Sequence, residues 1–123
     1  MDAVRFEVIH IQQLLLIQQV IDYIEEYIKE EIDPEYLAKM AGYSPYHFYR
    51  VFQKHTGYTL MDYVVKRKLQ YALYELVNGK KIIEIAMDYG FETHAGFTKA
   101  FKNALGVLLV YIRFIVPNHC RKN

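Results

Sequence analysis

The stretch MAGYSPYHFYRVF, Met40 to Phe52, sets Tyr46, Tyr49 and Arg50 on one face of a helical pattern and Phe48, Val51 and Phe52 on the other. Spacings of three and four residues run within each set. The apolar set seeks a core, so the tyrosines and the arginine are held toward water, and Gln53 and Lys54 extend their face by a turn. These groups share a chemistry. Arginine carries a fork of donors that matches a guanine edge or a phosphate, glutamine pairs a donor with an acceptor, and tyrosine offers flat apolar surface with a polar tip. That set recognises and does not make bonds. The chain shows no carboxylate pair, Gly-rich phosphate loop or metal-ligand spacing, so no enzyme is expected. His47, His55 and His94 lack i, i+4 pairing, and neither a metal nor a cofactor is expected.

The same pattern occurs twice. LAKMAGY is followed by Phe48, Phe52 and Gly57, and IAMDYGF by Phe97, Phe101 and Gly106. Ala38 and Gly42 match Ala86 and Gly90 at a spacing of 48, whereas the two phenylalanines and the last glycine match at 49. The second copy therefore carries one extra residue in its turn. Each copy reads as a short helix, a glycine turn and a second helix, which is a helix-turn-helix. Its geometry explains the residue types. Ala38 and Ala86 are small where two helices cross closely, and Gly42 and Gly90 take the left-handed turn. In the second copy the outward face offers Thr93, His94, Ala95, Gly96, Lys99 and Lys102. Lysine is a less directional donor than arginine, so the first copy is expected to be the stricter reader.

Proline and glycine mark the elements that hold these faces. Asp2 to Ile32 has no breaker, and Leu14, Ile17, Val20, Ile21, Ile24, Tyr27 and Ile28 form its apolar stripe. Asp33-Pro34 caps a short helix to Ala41, expected to bury Leu37, Met40 and Ala41. Ser44-Pro45 opens the next, which runs to about His55. Thr59-Leu-Met-Asp62 has the form of a capping box and starts a long helix ending near Asn78-Gly79. Helices over Ile82–Tyr89 and Thr93–Leu105 follow, then a final helical turn or two, Leu108 to Phe114, and a polar tail after Pro117. The expected fold is all-α: two helix-turn-helix subdomains joined by a long linker helix, about seven helices in all. The boundaries are 1–57, the linker 58–79, 80–116, and the tail 117–123. At 1.5 Å per residue, the helix over residues 60–77 is about 27 Å long, close to the roughly 34 Å between successive major-groove segments. Such a spacer suits an asymmetric site read by one chain.

Charge is divided along the 123 residues. Residues 1–36 hold two basic against nine acidic side chains, a balance of −7, and residues 37–123 hold thirteen against five, a balance of +8. A polyanion partner suits the later part, and the acidic face of the first helix reads as solvated. Lys66, Arg67 and Lys68 suit a phosphate contact or a structural salt bridge equally. The lone Cys120 fits a reducing compartment, with no signal peptide and no run near the roughly 20 apolar residues of a membrane span.

From about Val20 to Arg113 the chain resembles the DNA-binding domain of the AraC/XylS family of transcription regulators. The resemblance rests on LAKMAGYSPYHFYRVFQKHTG, on DYVVKRKLQYAL and on IIEIAMDYGFETHAGFTKAFKNALG, with its Ala-x-x-x-Gly-Phe, Phe-x-x-x-Phe-Lys and closing Gly. It implies seven helices, promoter binding and, usually, activation of transcription. By motif position it puts base contacts on Tyr46, Tyr49 and Arg50, and on His94, Ala95, Gly96 and Lys99. The family's Thr-Pro-x-x-Tyr-Arg is replaced here by an apolar stretch, with Leu108, Leu109 and Ile112 at the Thr, Pro and Tyr positions and Arg113 kept. The expected partner is double-stranded DNA. RNA polymerase and a separate effector or dimerisation domain are further candidate partners, no membrane is involved, and the location is the bacterial cytoplasm, with the nucleoid. The alternatives are a helical protein-interaction module using Leu108, Leu109, Val110 and Ile112, or a DNA-binding fragment of a larger effector-responsive regulator.

Overall fold

A computed structural model describes residues 2–106 of the chain. It is all-α, with six helices and no strand among the described residues: α1 Asp2–Glu26, α2 Pro34–Ala41, α3 Pro45–Thr56, α4 Leu60–Val77, α5 Ile82–Asp88 and α6 His94–Leu105. Two compact units emerge. Of the described residues, one unit gathers those up to Tyr27 with Ile32–Tyr63, and the other gathers Ile28–Glu31 with those from Val64 to Gly106, so α4 begins in the first and continues into the second. The expected helix over Leu108–Phe114, its apolar Leu108, Leu109, Val110 and Ile112, Arg113, Cys120 and the tail lie outside the described residues.

In the first unit, Ile17, Val20 and Ile24 of α1, Leu37, Ala38 and Ala41 of α2, and Phe48, Val51 and Phe52 of α3 form the core. Burying each of the larger of these side chains, the alanines aside, contributes about 1.5–3 kcal/mol. Met40, expected among them, is 40% exposed. At 100° per residue it falls outside the arc shared by Leu37, Ala38 and Ala41, and the small Ala38 takes the inner place. The unbroken helix expected to Ile32 stops at Glu26. Glu25 and Glu26 crowd the negative end of its dipole, and no basic residue stands in its last turn. The chain then turns, with Ile28 and Ile32 buried, into Asp33, whose carboxylate accepts the Glu35 N–H at 3.0 Å.

In the second unit α4 contributes Leu69, Ala72 and Leu76, α5 contributes Ile85 and Ala86, and α6 contributes Phe97 and Phe101. The Thr59 hydroxyl accepts the Asp62 N–H at 3.2 Å at the start of α4, the threonine half of the expected box.

The repeat is geometric as well as textual. Gly42 and Gly90 have φ of 81° and 84°. The Gly42 N–H donates to the Lys39 carbonyl at 3.0 Å and that of Tyr43 to Ala38 at 3.0 Å. The second copy repeats this with Gly90 to Met87 at 3.1 Å and Phe91 to Ala86 at 2.8 Å. Phe48 and Phe52 stand 6.1 Å apart at 51°, and Phe97 and Phe101 stand 6.1 Å apart at 51°. The caps Ser44 and Thr93 follow their glycines by two and three residues, which is the extra residue of the second turn.

Candidate nucleic-acid interface

The outward face of α3 is set by its cap and its core. The Ser44 hydroxyl accepts the His47 N–H at 3.4 Å, and Pro45 fixes the first helical φ. With Phe48, Val51 and Phe52 buried, the opposite side must face water. Tyr46 is 71% exposed there, and Arg50, Gln53 and Lys54 are exposed with it. The Arg50 guanidinium lies 5.7 Å from the centre of the Tyr46 ring, a cation–π contact one turn apart. Lys54 departs from this strip, its ammonium standing 5.9 Å from the Phe6 ring of α1. Tyr49 is half-buried, at the wall of a cleft of about 390 Å³ shared with Pro34, Gln53, Thr59, Leu60 and Met61.

The α6 face is built differently. The Thr93 hydroxyl accepts the Gly96 N–H at 3.0 Å, so this side chain serves first as the helix cap. His94, Ala95, Gly96, Lys99 and Lys102 are all exposed. Gly96 has no side chain where the first copy carries His47, whose ring lies 4.7 Å from that of Tyr43. Phe91, the counterpart of Tyr43, turns inward instead and meets Phe97 edge-on at 5.2 Å. The tip of α6 is consequently low and that of α3 is crowded with rings.

The basic run on α4 divides its roles. Lys68 Nζ donates to the Glu30 carbonyl at 3.0 Å, and burial, opposed by the Glu31 charge, draws its ammonium below the usual lysine range. Arg67 donates to Gln70 at 2.6 Å and lies 5.0 Å from the Tyr71 ring. Lys68 and Arg67 are thus engaged within the fold, Lys68 by a backbone carbonyl and Arg67 by contacts that include an amide and a ring. Lys80 is paired with Asp88, and Lys29 with Glu75 at 3.0 Å.

His47, His55 and His94 do not converge. His55 bonds to Gln13 at 2.8 Å with the His10 ring 4.6 Å away, His47 lies on Tyr43, and His94 opens α6. Among the described residues no group of three or more His, Cys, Asp or Glu side chains could hold a metal ion, and no helix is long and apolar enough to cross a membrane. Two features escaped the sequence reading. Tyr46 and Arg50 form one unit, which their i, i+4 spacing could have signalled. The cleft beside Tyr49 needs Pro34 and Met61 from distant turns, and no local pattern announces it.

A family model described as a helix-turn-helix domain matches residues 37–110. An HTH-type transcriptional regulator of Bacillus subtilis, YbfP, is 36% identical over 87 residues, which cover 70% of this chain and 30% of that protein. The XylDLEGF operon transcriptional activator 2 of Pseudomonas putida is 38% identical over 95 residues, covering 74% of this chain and 60% of that one. The chain thus matches less than two thirds of the length of both relatives. Among solved structures, the C-terminal domain of AraT, a response regulator from Geobacillus stearothermophilus, superposes with a TM-score of 0.71 at 25% identity, over 81% of this chain and 84% of that one.

Proposed function

The chain belongs to the AraC/XylS family of helix-turn-helix proteins, and on that premise we propose that it is a sequence-specific DNA-binding regulator of transcription. In this reading α3 and α6 enter successive major-groove segments of an asymmetric promoter site. The observation that carries it is the duplication: two capped helices, each anchored by a buried phenylalanine pair and each presenting its other face to water. A helix on a rigid base with donors and flat rings outward can read base edges.

The roles follow from the side chains. Arg50 takes a guanine edge, Tyr46 and Tyr49 supply flat surface for a thymine methyl or sugar, and Gln53 takes a further base. On α6, His94, Ala95 and Gly96 form the low tip and Lys99 the principal donor, while Thr93 holds the tip as its cap. Lys54 and Lys102 are assigned to phosphates. Residues 1–57 and 80–116 serve as the two reading subdomains and 58–79 as the linker. The Pseudomonas relative is named a transcriptional activator, which supports activation as the outcome here; contact with RNA polymerase, in the bacterial cytoplasm, completes the reading.

The test is fluorescence anisotropy with a random duplex over a salt series, followed by selection of the tightest sequences. Binding that weakens steeply with salt and enriches an asymmetric two-box site of about two helical turns is the expected result. No binding at low salt by a folded chain would overturn the reading.

A further inference from the structure

The cleft beside α3 is a candidate small-molecule site. Its six lining residues, Pro34, Tyr49, Gln53, Thr59, Leu60 and Met61, carry no formal charge. A pocket without a cation or a carboxylate gives no compensation for desolvating an ion, so its occupant is neutral. The residues around it bring a proline ring, a tyrosine ring, a leucine and a methionine, and the polar groups of their side chains are the Gln53 amide and the Tyr49 and Thr59 hydroxyls. The volume of about 390 Å³ lies at the small end of ligand pockets. We propose that this cleft binds a neutral, planar aromatic molecule of one or two fused rings with a single hydrogen-bonding group. The ring stacks against Tyr49 and Met61, and the polar group meets Gln53.

Tyr49 and Gln53 also belong to the face assigned to DNA, so an occupied cleft competes with DNA for them; this regulatory half rests on the regulator reading above. The site is peculiar to the first copy. At the positions equivalent to Tyr49 and Gln53 the second copy has Thr98 and Lys102, and its own groove, lined by Ile83, Met87 and Phe91 among others, also carries Glu92 and His94.

Indole is a suitable probe, because the chain has no tryptophan and the probe can be excited to the red of its twelve tyrosines. Titration of the full chain into indole should give saturable binding, half-maximal at about 1 mM, as suits a ligand of about nine heavy atoms. Amide shifts of the labelled protein should centre on Tyr49, Gln53, Leu60 and Met61. Met61→Asp, at a position 43% exposed, should weaken binding about tenfold or more, and Met87→Asp, 71% exposed on α5, should not. Shifts elsewhere, or no saturation, overturn the site even where Met61→Asp fails to fold, since they are read on the unmutated chain. At saturating indole, affinity for the selected duplex should fall at least about threefold, since two side chains are withdrawn from DNA. Saturation at those amides with unchanged DNA affinity overturns the competition. Indole binding by a chain that binds no DNA at all overturns the regulator reading and leaves the cleft standing.

Discussion

The Arg50 guanidinium lies 5.7 Å from the Tyr46 ring, on the same exposed face of α3 one helical turn away. An exposed arginine ordinarily samples many rotamers and loses that freedom on binding. A ring beneath the guanidinium removes part of the cost beforehand, and the donor fork is left free at its edge. Tyr46 and Arg50 are best treated as one recognition element.

Arg50→Ala is expected to cost about 1–3 kcal/mol on the selected duplex and to relax preference at one base pair. Arg50→Lys should lose much of the same discrimination, because an ammonium cannot form the bidentate pair. Binding measured on a panel of single-base variants of the site decides this. Equal losses on selected and random DNA would mean that Arg50 holds only phosphate.

Lys102 should behave as a backbone contact. Lys102→Ala is expected to weaken specific and random duplexes alike and to lower the slope of log affinity against log salt by about 1. A loss confined to the selected sequence would move Lys102 into base reading.

Gly96 and Thr93 form a coupled pair at the start of α6. A Cβ on Gly96 would stand 3.0 Å from the Thr93 hydroxyl that caps the helix. Alanine normally gains about 0.5–1 kcal/mol over glycine inside a helix, and loss of a cap costs about 0.5–2 kcal/mol. Gly96→Ala alone should therefore bring no net stability, whereas in a Thr93→Ala background it should stabilise by about 0.5–1 kcal/mol. Urea melts of the four proteins in the cycle test it, and additive effects would refute the coupling.

Gly42 and Gly90 should respond alike, since their φ angles are 81° and 84°. An added Cβ meets nothing within 4 Å at either site, so the cost is backbone strain alone. Alanine at each position is expected to destabilise by about 1–2 kcal/mol. A clearly unequal pair in thermal melts would mean that the two turns are not equivalent.

His55 gives the fold an acid-side sensitivity. Its imidazole is held below the ordinary value of 6.5, by desolvation first and then by the positive charges of His10 and Lys54. A lowered folded pKa means that the unfolded chain takes the proton first. The contribution is present above about 6.5 and is lost as pH falls through the lower folded value. Melting temperature should fall between neutral and mildly acidic pH, and His55→Gln should flatten that fall. An unchanged pH profile in the variant would assign the sensitivity to other groups.

Much of this molecule is written locally. Pro34 and Pro45 after Asp33 and Ser44 start helices, Gly42 and Gly90 force left-handed turns, and the Phe48/Phe52 and Phe97/Phe101 spacing chooses which side is buried. Each is a short-range steric or hydrophobic effect, so the repeat, the helix starts at Pro34 and Pro45 and the outward positions on α3 and α6 other than the half-buried Tyr49 were legible without coordinates. The pattern failed at two local choices, the inner place on α2 and the end of α1, and again where distant elements claim a residue. Met40 lost its inner place to Ala38, α1 ended at Glu26 and not at Ile32, and Lys54 leaned onto Phe6, a residue 48 positions earlier. Lys68 was settled by a carbonyl 38 residues away, and the cleft at Tyr49 by Pro34 and Met61. Periodicity determines which side of a helix is apolar, because that depends on neighbours three and four residues away. Which polar side chain stays free, and where a cavity opens, depends on chain segments that only folding brings together.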